Sequence, residues 1–244
     1  MKITTILFDL DGTLLPMDLD IFIDRYFKAL TRRFAAIIKP EQFIKDLYAS
    51  TMEMIKNNDP EKTNQEVFIE DFFKRVPLKF EEAMPEFDAF YEKDFPKLKD
   101  EINLKLEGWK AKELMDVIFD AGYQVVIATN PIFPEAAVKE RLRWVGLADY
   151  PYKLITSYEI MHFCKPNPNY FKEICEKIGV DPRECLMVGN DMEEDLPASL
   201  LGMKTFIVED FLIDRGTGRF TPDGRGSLMD LYHEIMEKNL IYRK

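Results

Sequence analysis

The chain has 244 residues, 46% of them hydrophobic, and a net charge of −11 from 44 acidic and 33 basic side chains. That length and apolar content suit one large core with room for an insertion, and they exclude disordered, collagenous and disulfide-framework classes. No run approaches membrane-spanning length, and so acidic a chain repels nucleic acid and anionic membranes, so a cytoplasmic protein with neither as partner is expected. Two aspartates interrupt the N-terminal apolar run where a signal peptide would continue. The sparse cysteines, Cys164, Cys175 and Cys185, lack metal-ligand spacing and suit a reducing compartment. An anionic substrate would meet long-range repulsion, so its site must supply a bound cation or a well-placed lysine.

In chain order, Ile3–Phe8 is a β-branched apolar run that stops at Asp-Leu-Asp-Gly-Thr, the pattern of a buried strand and a turn. Residues 18–105 show only helical periods. Ile23, Phe27, Leu30, Phe34 and Ile37 form one stripe, Phe43, Leu47 and Met54 a second, Val67, Phe68 and Phe72 a third, and Phe87, Phe90 and Tyr91 a fourth. Pro40, Pro60, Pro77 and Pro96 punctuate them. Beyond, short strands at Gln124–Ala128, Tyr152–Ile155, Cys185–Val188 and Thr205–Val208 alternate with helices around Leu114–Ala121, Val138–Val145 and Tyr170–Ile178. Such alternation predicts an α/β core with a mainly parallel sheet, residues 1–17 and 106–244, interrupted by an all-helical insertion at 18–105. The stretch from Phe211 to Gly226 reads as a loop or small hairpin before a last helix at Leu228–Met236.

Asp9 and Asp11 sit one residue apart at the end of the first strand, and paired like charges there are costly unless a cation lies between them. An oxygen-rich site with one or two carboxylates suits Mg²⁺. Three further features follow predicted strands or precede a helix: Thr129-Asn130, Lys165 before Pro166, and Asp191 with Asp195 four residues on. In a parallel α/β sheet the carboxyl ends of the strands share one crevice, so these loops can converge. A helix starting at Asp191 would put both aspartates on one face. Glu193 and Glu194 read as complements to that helix's dipole. His162 and His233, the only histidines, read as surface or structural residues.

This set resembles the haloacid dehalogenase-like superfamily, which consists mostly of phosphate-monoester hydrolases. Phe8-Asp9-Leu10-Asp11-Gly12-Thr13-Leu14 matches its first motif, and Thr129, Lys165 and Asp191/Asp195 match the other three in order. The resemblance covers residues 1–17 and about 106–210, and implies a Rossmann-like core with a helical cap inserted after the first strand. It implies Asp9 as nucleophile and Asp11 as acid/base. Thr129 and the Asn130 N–H would bind phosphoryl oxygens, and Lys165 would neutralise developing charge. Mg²⁺ would be held at Asp9, the Asp11 carbonyl and Asp191, with Asp195 a further metal-site residue acting through the metal's water shell or through Lys165. The substrate implied is a small phosphorylated metabolite. A phosphomutase, or a non-catalytic binding protein on the same fold, stands as the alternative. The chain departs from many relatives at Pro16-Met17-Asp18 and in Gly189-Asn190-Asp191, where Gly-Asp is commoner.

Overall fold

Strand β1 (Thr5–Phe8) is apolar at consecutive positions because both of its faces are covered. It lies near the middle of a six-stranded sheet of order β3-β2-β1-β4-β5-β6, with β2 at Gln124–Ile127, β3 at Leu154–Ile155, β4 at Cys185–Gly189, β5 at Lys204–Val208 and β6 at Gly224–Gly226. Every pairing is parallel. The computed structural model describes residues 2–238; Met1 and residues 239–244, the end of the expected core, lie outside the described residues.

Alternate strand residues face opposite ways. Ile6, Phe8, Val125, Ile127 and Val188 join the core layer beneath α5 (Ala111–Asp120), α6 (Glu135–Trp144) and α8 (Leu228–Lys238). Leu7, Val126 and Met187 pack on the other side against Tyr170, Phe171 and Ile174 of α7 (Pro168–Ile178). Register positions the chemistry. Phe8 pairs with both Ile127 and Val188, so Asp9, Ala128-Thr129 and Gly189 leave the sheet side by side. Backbone bonds extend the ladder by one residue, from Asp9 N to Val188 O (2.8 Å) and from Ala128 N to Phe8 O (2.6 Å).

The insertion is helical, as its periods predict: α1 (Leu19–Phe34), α2 (Pro40–Lys56), α3 (Asn64–Arg75), α4 (Phe80–Lys93) and a 3₁₀ turn at Phe95–Asp100. Asp18 caps α1 through its carboxylate, and Thr63 with Glu66 forms a reciprocal cap on α3. Stacked or tilted rings bind the bundle together, with Phe34 4.9 Å from Phe43 and 4.8 Å from Phe87. Ile37, expected on the α1 stripe, falls beyond the helix end and is 61% exposed.

Two chain crossings join cap and core, and they lie against each other. Lys105 N donates to Pro16 O (3.3 Å), and Trp109 Nε1 donates to Leu14 O (2.8 Å). On the far side the start of α3 docks onto core loops: Asn64 N bonds Met161 O and Gln65 N bonds Tyr158 O, each at 2.8 Å.

Two readings of the sequence need correction. The segment ending at Gly226 is no hairpin; Gly224–Gly226 adds a parallel edge strand to β5. No α-helix begins at Asp191. A single turn, closed by Asp195 N on Asp191 O (2.9 Å), leads into a 3₁₀ helix at Leu196–Leu201. Among the described residues no helix is long and apolar enough to cross a membrane.

Candidate active site

Lys165 lies just before α7 and is 1% exposed. Its Nζ donates to Asp9 Oδ1 (2.8 Å) and to Asp195 Oδ1 (2.6 Å), so one buried cation ties the first motif to the last. Burial alone would lower its pKa, but Asp195 and Asp9 outweigh that and hold it well above the ordinary lysine range. Burial pushes the Asp9 carboxyl up; Lys165 opposes the shift and neighbouring Asp11 adds to it. Thr13 Oγ1 donates to Asn190 Oδ1 (3.0 Å) and sits 3.5 Å from Asp9 Oδ2. Gly12 makes the turn possible. Its φ is +81°, and a Cβ there would overlap the Asn190 side chain.

Asp11 is gripped by Arg141 of α6, a side chain with 0% exposure that the sequence reading left out. Its signal was available: Arg141 lies three residues after Val138 and directly before Leu142, on the face expected to be apolar. The guanidinium also lies 4.7 Å over the Phe133 ring and 5.7 Å over Phe22 of the cap. Burial raises the Asp11 carboxyl against the pull of Arg141. Asp11 Oδ1 and Arg141 Nη2 are both buried without a hydrogen-bond partner. Each atom of the pair therefore keeps hydrogen-bonding capacity directed into the site.

The remaining residues close the ring. Thr129 is buried, and its carbonyl accepts from Thr156 Oγ1 (2.7 Å) and Tyr170 Oη (2.9 Å), which anchors the end of β2. The Asn130 side chain accepts from Lys165 N (3.2 Å) and donates to Glu194 Oε2 (3.2 Å). Glu194, read from the sequence as a dipole complement, therefore faces the site. Burial raises its pKa to about 7, with Lys165 pulling the other way. Asp191 accepts from the backbone N–H groups of Glu193 and Glu194, and Arg215 holds both of its oxygens, at 2.7 and 2.9 Å. Arg215 comes from the segment after β5 read only as a loop. Asp195 spends Oδ1 on Lys165 and Oδ2 on Asp191 N (3.0 Å), so it braces the lysine and leaves neither oxygen uncommitted.

The Mg²⁺ implied by the sequence motif can be tested against this donor set. Among the described residues no three acidic, His or Cys side chains form a ready-made metal cage. The fit is instead electrostatic. Six carboxylates (Asp9, Asp11, Asp191, Glu193, Glu194, Asp195) meet three cations (Lys165, Arg141, Arg215), and burial raises the Asp9, Asp11, Glu194 and Asp195 carboxyls. A divalent cation reduces that surplus. Mg²⁺ commonly takes only one or two carboxylates and keeps its waters, so a closed cage is not required. The residues fit the ion.

Comparison with known proteins places this geometry in a family. The family model for haloacid dehalogenase-like hydrolases matches residues 3–200. The chain belongs to that family. It is 24% identical over 204 residues to pyrophosphatase PpaX of Bacillus velezensis, covering 84% of this chain and 82% of the relative. It is 26% identical over 217 residues to phosphoglycolate phosphatase of Vibrio vulnificus, covering 84% and 83%. Among solved structures, a HAD phosphatase from Thermococcus onnurineus shares the fold with a TM-score of 0.57 at 21% identity, covering 97% of this chain and 98% of that one.

Two predictions concern this hydrolase site directly. Gly189→Ala would drive a Cβ into Asp195 Oδ2 and loosen its hold on Lys165. The expected result is a stability loss of about 2–4 kcal/mol in chemical denaturation, with turnover falling alongside. The second concerns pH. Glu194 and Asp195, at about 7 and about 6, lie above their ordinary values of 4.5 and 3.8. Each binds its proton more tightly folded than unfolded, so the stability it contributes is full below those ordinary values. It is lost as pH rises through 6 and 7. Chelator-treated protein should therefore melt at a lower temperature at pH 8 than at pH 5, and Glu194→Gln should flatten that slope in a thermal scan.

Proposed function

We propose that this chain is a Mg²⁺-dependent phosphate-monoester hydrolase that works through an aspartyl-phosphate on Asp9. The observation that carries the reading is the buried Asp9–Lys165–Asp195 chain set two residues from an Asp11 whose second oxygen is free. A dehalogenase has no alkoxide to protonate and no need of Asp11. The phosphatase names of two relatives agree with the proposal.

An Asp9 carboxylate oxygen attacks phosphorus, and the ester P–O bond breaks with its electron pair leaving on the alkoxide oxygen. Asp11 gives that oxygen a proton. Asp11 then takes a proton from water, whose oxygen attacks phosphorus; the bond to Asp9 breaks, and the carboxylate is restored with inorganic phosphate. The Thr129 hydroxyl and Asn130 N–H bind phosphoryl oxygens, and Lys165 balances the charge on Asp9 and the transferring group. Arg141 holds the acid/base in place through its ion pair with the Asp11 carboxylate. The Asp9 side chain and the Asp11 carbonyl would hold Mg²⁺, with the Asp191 carboxylate exchanging its Arg215 pair for the ion and Asp195 bracing Lys165. When bound, the ion screens the repulsion between Asp9 and the phosphate.

The test is hydrolysis of a generic aryl phosphate by the purified chain with Mg²⁺. Turnover should vanish on chelation and return on adding the ion. A protein that binds phosphate esters but never releases phosphate would be the non-catalytic alternative.

A further inference from the structure

Between cap and core lies a cavity of about 970 Å³, far larger than a phosphate and a two-carbon leaving group require. Its wall reaches the catalytic residues through their neighbours: Phe133 lies 4.7 Å from the Arg141 guanidinium that holds Asp11, and Glu194 accepts from Asn130. Its core wall includes Ile132, Phe133 and Pro134, the loop directly after Thr129-Asn130, and also Glu194. Its cap walls are chiefly aromatic and apolar, with Ile23, Phe27, Phe68, Phe72, Met84 and Phe87.

Charge narrows the occupant further. Among the described residues, the only basic ones on its wall are Lys139 and Arg143, and each is already paired, with Glu135 (2.9 Å) and Glu140 (2.7 Å). Asp88, Glu92, Glu140, Glu159 and Glu194 line it as well. A second phosphate or a carboxylate on the substrate would meet an excess of negative charge and no unpaired cation. Uncharged handles do exist. The Tyr26 and Tyr91 hydroxyls pair at 2.9 Å, and Gln65 Nε2 lies 3.4 Å from Tyr158 Oη.

We propose that the preferred substrates are monophosphate esters of bulky, uncharged, largely apolar alcohols, whose alcohol portion fills this chamber while the phosphate meets Asp9. The proposal rests on the phosphatase reading and names its substrate class, which differs from the small anions in the names of the relatives. Burying an apolar body against these rings rewards size, whereas a distal anion is excluded by the carboxylates.

The test compares alcohols of similar leaving-group chemistry with the full chain and Mg²⁺: 2-(2-naphthyl)ethyl phosphate, ethyl phosphate and phosphoglycolate, with pyrophosphate as a doubly anionic control. The expected result is a kcat/KM for the naphthylethyl ester at least about 100-fold above the others. Ile23→Trp and Phe68→Trp, two independent ways to fill the chamber, should cut that ratio to about 10-fold or less while circular dichroism stays native. Fluorescence of 2-(2-naphthyl)ethanol supplies a readout that needs no turnover; it should bind the wild type and not the filled variants. Preference for phosphoglycolate or pyrophosphate, or equal efficiency with every ester and no binding of the alcohol, overturns the substrate class and leaves the phosphatase reading standing. Binding of the alcohol in the chamber with no ester hydrolysed supports the ligand class and defeats the phosphatase reading.

Discussion

Asp9→Asn is expected to lower phosphatase turnover by about 10⁴-fold or more while the protein melts at or above the wild-type temperature. The amide keeps the shape of the side chain but cannot attack phosphorus as an anion. The stability half of the result comes from burial. The Asp9 carboxyl is pushed up by desolvation and by Asp11, so its charge is held at a cost in the folded protein. Removing it leaves Lys165 bound to Asp195 at 2.6 Å. Parallel assays of phosphate release and thermal melting check both halves. Near-normal turnover would remove Asp9 from the chemistry.

Lys165→Met should be the most damaging single change to the fold. It deletes the cation and leaves Asp9 and Asp195 facing each other, both buried. Breaking a buried pair on one side costs about 3–5 kcal/mol, because the remaining charge is uncompensated. Urea denaturation at pH 8 should show that loss, and the deficit should shrink at pH 5, where Asp195, at about 6 even with the lysine present, takes a proton. Phosphatase activity should be absent at both values. A variant as stable as wild type at pH 8 would mean the lysine is not the group that neutralises the site.

The sheet was readable because each central strand is apolar on both faces, which leaves short, apolar-rich runs between helical periods. Asp9, Thr129 and Asp191 could be grouped for a related reason: in parallel strands, chain position beyond a carboxyl end translates directly into neighbourhood. Spacing also brought Asp191 and Asp195 together, although a turn followed by a 3₁₀ helix, and not the expected helix, accomplishes it. Arg141 and Arg215 were not found. Each reaches its aspartate across more than twenty residues of sequence: the position of Arg141 on an apolar helix face signals its burial but not its partner, and an arginine in a Gly-rich loop, as Arg215 is, ordinarily belongs to solvent. Glu194 was misjudged because its role depends on Asn130, a partner set by tertiary structure. β6, three residues with glycine at both ends, carries almost no strand signal of its own; its pairing comes from β5.

The cap is the part where sequence is weakest on function and geometry adds most. Its helices announce themselves by period, yet which faces line a cavity depends on how four helices close around it. Phe34 and Phe43 sit in the bundle's stacked rings, while Phe27 and Phe68 look into the chamber, and all four occupy apolar stripe positions. Asn64 is buried at the start of α3 with its amide on Pro131 O (3.3 Å), which places the cap directly over the loop that follows Thr129.

The central claim is a covalent phosphoryl group on Asp9, and the most direct measurement is mass spectrometry after acid quench. Asp11→Asn protein is mixed with an aryl phosphate and Mg²⁺, quenched within its slow turnover, and digested. Without Asp11 to activate water, the second step should lag, and the N-terminal peptide should carry one phosphoryl group localised to Asp9. A peptide without that mass while phosphate is still being released, or the group found on another residue, would contradict the account.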